Sequence, residues 1–158
     1  MSHPAHAASS AAHTRASISP RPSLAGHEVV IRRDPASTPD HLTGADAAWP
    51  ARLRRIVRAA LAHWDHPDLA EAAGLLTTEL ATNAFRHGQG HDIGVRFYLT
   101  DVHLVIEVDD GSPCTPVLRC PGPDDESGRG LLLVQALAEA WGVSTDGTTT
   151  WCTLPLTA

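Results

Sequence analysis

The 158-residue sequence contains no lysine. A P-loop places a Lys on the phosphates, a eukaryotic-type protein kinase uses a strand Lys, and a pyridoxal enzyme forms a Schiff base on Lys; those three routes to nucleotide or cofactor chemistry are closed. All twelve basic residues are arginine, which beside abundant alanine fits the codon bias of a GC-rich bacterial genome. Long apolar runs are missing too: none approaches the roughly 20 residues that cross a bilayer. The amino terminus has no charged-then-apolar leader, so a cytoplasmic protein with no membrane partner is expected. Cysteine is scarce and odd in number, with only Cys114, Cys120 and Cys152, so a disulfide framework is not expected. Cys114 and Cys120 lack a metal-ligating partner set and are read as free thiols. Net positive charge is absent: the formal charge is -6 and the pI about 5.9, which argues against nucleic acid as a direct partner.

What is present suffices for one domain, since 42% of the residues are hydrophobic. Residues 1–25 are Ala, Ser, His and Pro with almost no large apolar side chain, and are expected to form a disordered tail ahead of a folded domain over 26–158. His3, His6 and His13 in that tail fit neither one helix face nor a zinc finger. Residues 28–32 read as a strand and 35–50 as a connecting loop. Over 51–64 the residues Leu53, Ile56, Val57, Ala60, Leu61 and Trp64 recur at helical steps, with Arg52, Arg54, Arg55 and Arg58 mostly opposite them. That arginine face is either solvated or a surface for an acidic protein partner.

A second helix is expected to begin near Pro67, with Leu69, Ala73, Leu76 and Leu80 as its buried stripe. At 100° per residue, Glu79, Asn83 and His87 fall on or beside that stripe, where the pattern asks for leucine. Burying such groups without partners costs about 1 to 3 kcal/mol each, so this end of the helix is expected to face a ligand or an ion. Gly88 and Gly90 end the helix. Residues 92–100 and 102–109 then predict an antiparallel hairpin turning at Asp101, and 111–128 an unusually long polar loop of the kind that carries binding function. A helix over 130–141, with Leu132, Leu133, Ala136, Leu137 and Ala140 inward, precedes two short strands over 142–145 and 149–156 around Asp146-Gly147. The sum is an α+β two-layer sandwich, a mixed and mostly antiparallel sheet with three helices on one face.

Three stretches carry groups suited to one site. Asn83 offers a neutral oxygen for a hard cation such as Mg²⁺, and Glu79, one turn earlier, a carboxylate able to orient or deprotonate a hydroxyl. At a strand end, Asp109-Asp110-Gly111-Ser112 offers a carboxylate to accept from an exocyclic amine and a glycine that lets a ring approach the backbone. Gly128-Arg129-Gly130-Leu131 opens a helix, where free amides, the dipole and an arginine favour phosphate.

This order, a helix with Glu and Asn, a strand ending in Asp-Gly, a long loop and a GxG-led helix, resembles the Bergerat-type ATP-binding fold of gyrase, heat-shock chaperone, histidine-kinase and mismatch-repair ATPases (the GHKL superfamily). Within it the sequence is most similar to the anti-sigma factor serine kinases and their actinobacterial relatives, over about residues 52–156. The strongest words are Glu79-Leu-Ala-Thr-Asn83-Ala-Phe-Arg-His87-Gly88 and Gly128-Arg-Gly-Leu131-Leu-Leu-Val. The resemblance implies ATP and Mg²⁺ as cofactors, with Asn83 as the metal ligand, Glu79 as the general base, and His87 beside them in the nucleotide site. It implies Asp110 with Gly111 as the adenine reader, Asp109 being the competing assignment. It gives Gly128, Arg129, Gly130 and Leu131 the phosphate end of the ATP lid, and Thr149 an adenine-pocket hydroxyl. The partners implied are a sigma factor, held by binding, and an anti-anti-sigma antagonist, inactivated by phosphorylation, with the kinase a homodimer. A non-catalytic nucleotide-binding or partner-docking module of the same fold is the second reading. Two departures stand out: Ser112 and Cys114 replace glycines of the fuller family pattern, and Asp124, Asp125 and Glu126 place acid in the lid.

Overall fold

The central apolar stripe forms the helix expected of it. In the computed structural model, which describes residues 25–89, 92–113 and 126–157 (for 126–129 the backbone alone), a 3-10 turn at Pro67–Leu69 leads into helix α3 at Ala70–His87. The helix buries Ala73, Gly74, Leu76, Thr77, Leu80, Ala81, Ala84 and Phe85. Thr77 is tolerated in that stripe because its hydroxyl donates to the Ala73 carbonyl at 2.7 Å, leaving no orphan polar atom. The expected tail, with His3, His6 and His13, and the readings of Cys114, Cys120, Asp124 and Asp125 lie outside the described residues.

Ahead of α3, helix α2 (Trp49–His63) starts two residues earlier than expected, with Pro50 in the first turn where its missing N–H is harmless. Leu53, Val57, Ala60 and Leu61 are buried against the core. Arg52, Arg55 and Arg58 are exposed, whereas Arg54 lies along Gly74 and reaches Glu71 at 3.0 Å. The stretch expected as plain loop contains one helical turn, α1 (Gly44–Ala47), capped by Thr43. Asp46 in that turn is buried, and both its oxygens accept from the Asp34 N–H at 3.2 Å, pinning the connection that follows the first strand.

Among the described residues five strands form one sheet in the order β1-β2-β3-β5-β4: Ala25–Ile31, Ile93–Leu99, His103–Asp109, Thr149–Pro155 and Ala140–Val143. Every pairing is antiparallel, so the sheet is not mixed; each chain reversal joins neighbours or crosses a single strand. Val95, Phe97, Leu104, Ile106, Val108, Cys152 and Leu154 turn toward the helices and make the core with them. The other face is more polar, with Tyr98 donating to Glu107 at 3.1 Å and Arg96 pairing with Glu107 at 3.2 Å. Burial first, and then the Glu107 charge, push the Tyr98 hydroxyl up to about 12. The architecture is the expected α+β two-layer sandwich.

Helix α4 departs most from expectation. It runs over Glu126–Leu137, beginning four residues early, and Ala140 and Trp141 belong to β4 instead. Leu132 is 54% exposed and Leu137 38%, and Ala136 and Ala140 are exposed as well. The buried positions are Gly130 and Val134, with Ala138 packed partly against the core beyond them. These small residues stand four apart and let α4 lie close on α3, which leucine would prevent. Among the described residues no helix is long and apolar enough to cross a membrane.

Candidate functional site

The polar residues gather at two points of α3, and a glycine marks each. A β-carbon placed on Gly130 would stand 2.6 Å from Glu79 Oε2 and 3.7 Å from Asn83 Oδ1. Helix α4 therefore meets α3 at its two stripe-breaking polar residues, and glycine is needed there unless Glu79 swings away. Both polar residues are half-buried and His87, the last residue of the helix, is exposed. Gly128 and Arg129 sit inside the first turn of α4 instead of ahead of it, and the orientation of the Arg129 side chain lies outside the described residues. Leu131 is half-buried.

The second point is Gly88, about 13 Å from Glu79 along the axis at 1.5 Å per residue. A β-carbon there would lie 2.5 Å from the Ala84 carbonyl oxygen, which backbone cannot relieve, and 3.3 Å from both Arg33 Nη1 and Asp110 Cβ. Asp110 follows the last residue of β3 and lies on the helix side of the sheet. Burial raises its carboxyl above the usual range; the Ser112 amide opposes that shift, the Asp109 charge adds to it and the Arg33 charge opposes it. The Ser112 N–H donates to Asp110 Oδ1 at 2.8 Å, which leaves Oδ2 as the freer acceptor.

Asp109 is exposed, and its Oδ1 accepts from the Gly111 N–H at 2.8 Å. Gly111 has φ 68°, a left-handed turn that suits glycine. Thr149 pairs with Asp109 across the strands and shares its side of the sheet, so the structure does not bring Thr149 to Asp110. Thr150, opposite the buried Val108, is the β5 hydroxyl on the helix side.

Sequence reasoning passed over two further residues. Arg33 donates from Nη1 to the Gly88 carbonyl at 3.1 Å and from Nη2 to the Phe85 carbonyl at 2.8 Å, closing the C-terminal end of α3. No local pattern marks it, because its partners are 52 and 55 residues away. Ser112 is 2% exposed and its Oγ has no hydrogen-bond partner among the described residues, an orphan hydroxyl beside Asp110. Its only sequence signal is that it replaces a glycine.

The chemistry of the donor set suits a magnesium nucleotide. An amide oxygen and a carboxylate on α3 face the second turn of α4, and an acceptor with a hydroxyl unpaired among the described residues stands near the far end of α3. Among the described residues no group of three or more His, Cys, Asp or Glu side chains makes a metal cage of its own.

Comparison with known proteins places the same elements in a family. Over 75 residues the chain is 44% identical to an uncharacterized protein of Streptomyces coelicolor, covering 44% of this chain and 70% of that relative. Residues 44–154, from α1 to the penultimate residue of β5, match the histidine kinase-like ATPase domain. With that match spanning most of the sequence and the two-layer fold arranged around it, the chain belongs to the histidine kinase-like ATPase domain family.

Proposed function

We propose that this protein binds Mg-ATP along the α3 edge and acts as a regulatory protein serine/threonine kinase of the anti-sigma type. The observation that carries the reading is the convergence of Glu79 and Asn83 on Gly130. Asn83 supplies a neutral oxygen for the cation, which is all that nucleotide binding asks of this helix turn. Glu79, facing Gly130 of α4 as well, adds a carboxylate able to take a proton from an incoming hydroxyl. When bound, ATP supplies a transferable phosphoryl group and Mg²⁺ offsets its charge. Asp110 is the amine acceptor in this reading, in preference to Asp109, because it is the one on the helix side. The first-turn amides of α4, with Arg129 in that turn, favour phosphate.

The partners in this reading are a sigma factor and an antagonist protein, with the kinase itself a homodimer. The exposed Arg52, Arg55 and Arg58 on α2, a helix that holds no acidic residue, support an acidic protein partner.

Calorimetric titration with ATP and ADP, with and without Mg²⁺, tests the reading. Wild type is expected to bind ATP at micromolar concentration in a Mg²⁺-dependent way. Asn83→Ala should weaken binding at least about tenfold, or 1.4 kcal/mol. Glu79→Gln should leave the dissociation constant within about threefold while abolishing ATP turnover. Equal loss of binding in both variants would make Glu79 structural, and no binding by wild type at millimolar ATP would leave a partner-docking module of this fold.

A further inference from the structure

We infer that Arg33 is a positioning residue for nucleotide recognition, closing the end of α3 where it packs beside Asp110 and holding a fixed positive charge near that acceptor. The inference rests on the assignment of Asp110 to the base. Arg33 lies just beyond β1, at the edge of the sheet, and three elements meet at its guanidinium. Its two nitrogens close the Phe85 and Gly88 carbonyls at the end of α3, its Cζ lies 5.5 Å from the Phe85 ring centroid, and Arg33 Nη1 and Asp110 Cβ each lie 3.3 Å from where a β-carbon on Gly88 would stand. A lysine cannot reproduce this arrangement, because one ammonium lacks the planar fork that serves two carbonyls at once.

The consequence for Asp110 follows from its hydrogen bonds. Oδ1 is engaged by the Ser112 N–H, so a proton added to the carboxyl goes to Oδ2. That turns the remaining acceptor into a donor facing the amine it is meant to receive. Burial and the Asp109 charge favour that proton, and Arg33 is the cation that opposes it. His87 is the titratable group nearest in sequence to Gly88 on α3 and is exposed. Thr148 and Thr149, on the β5 side, are uncharged. Loss of Arg33 therefore moves Asp110 further up and shifts the acid limit of nucleotide binding to higher pH. A residue that only braced the fold would change the melting temperature and leave that limit where it is.

Two readouts on the full chain test this. The first is carboxyl-carbon NMR titration of Asp110 without nucleotide; the second is the Mg-ATP dissociation constant as a function of pH. Arg33→Gln is expected to raise the Asp110 midpoint. The acid limb of the binding profile should move to higher pH by the same shift, with weaker affinity than wild type at pH values below the midpoint. Arg33→Lys, which keeps the charge without the fork, should hold the midpoint near wild type while lowering the melting temperature. An unchanged Asp110 midpoint in Arg33→Gln overturns the inference, as does an equal shift in Arg33→Lys. If Arg33→Gln does not fold, a wild-type-like midpoint in folded Arg33→Lys supports the inference, and an upward shift there overturns it. If wild type binds no ATP, the NMR titration still decides whether Arg33 governs Asp110, and only the nucleotide assignment fails.

Discussion

Asp110 carries a raised carboxyl that the fold alone gives no reason to bury. Burial raises its carboxyl, and the neighbouring Asp109 adds to the shift. A carboxyl whose folded value lies above its unfolded value destabilises the native state once it ionises. That cost is absent below the unfolded value, grows as pH rises through the window between the two, and is fully present above the folded value. Asp110→Asn keeps an acceptor for the Ser112 N–H and removes the charge, so it is expected to raise the melting temperature at neutral pH. The gain should vanish below about pH 3.5, under the usual aspartate value. The same variant should lose at least about tenfold in Mg-ATP affinity. A lower melting temperature at neutral pH would mean that the carboxylate's hydrogen bonds outweigh its burial, and the case for a ligand-facing acceptor would weaken with it. The orphan Ser112 Oγ beside it is a second departure from a fully satisfied interior, and such departures cluster where a ligand completes the structure.

At the scale of elements, α4 shows what periodicity can and cannot read. The sequence offers two stripes on this helix, a leucine-rich one through Leu132, Leu133, Ala136 and Leu137, and a small-residue one through Gly130, Val134 and Ala138. Hydrophobicity selects the first; the structure uses the second, because the contact with Glu79 and Asn83 demands a close approach at Gly130. Leu132→Ala is therefore expected to change stability by no more than about 0.5 kcal/mol. Val134→Ala, at a site with no exposed surface, should cost about 2 kcal/mol in chemical denaturation. The reverse order would mean that the leucine stripe seats the helix. Elements whose signals are local were legible: the β2–β3 hairpin and α3 formed near the residues expected. Glu79 and Asn83 were legible as polar residues where a stripe called for leucine. Arg33 and the orphaned Ser112 Oγ were not, since each is defined by contacts between distant segments. Thr149 was misplaced because an alternating strand does not reveal by itself which of two adjacent threonines faces the helices.

At the scale of the whole molecule, the last strand lies beside the candidate site. Although β5 is last in sequence it lies between β3 and β4, and its threonines pair with Val108 and Asp109, just before the Asp110 turn. Cys152, at its centre, is fully buried toward the helices, and burial pushes its thiol up to about 12, so almost no reactive thiolate exists in the native state. Alkylation of Cys152 should therefore wait for opening of the sheet, and its rate, followed by peptide mass spectrometry, should rise with denaturant along the slope of global unfolding. A labelling rate insensitive to denaturant would show β5 opening by itself, with the Asp110 turn free to move without unfolding the core. If the strand and the site act as one unit, a ligand that binds only the folded protein slows the labelling by mass action. At about 100 times its dissociation constant Mg-ATP stabilises by about 2.7 kcal/mol, an about 100-fold slower reaction. Asn83→Ala, with the ligand at the same concentration, should lose most of that protection, whereas protection equal to wild type would place the nucleotide away from the α3 edge.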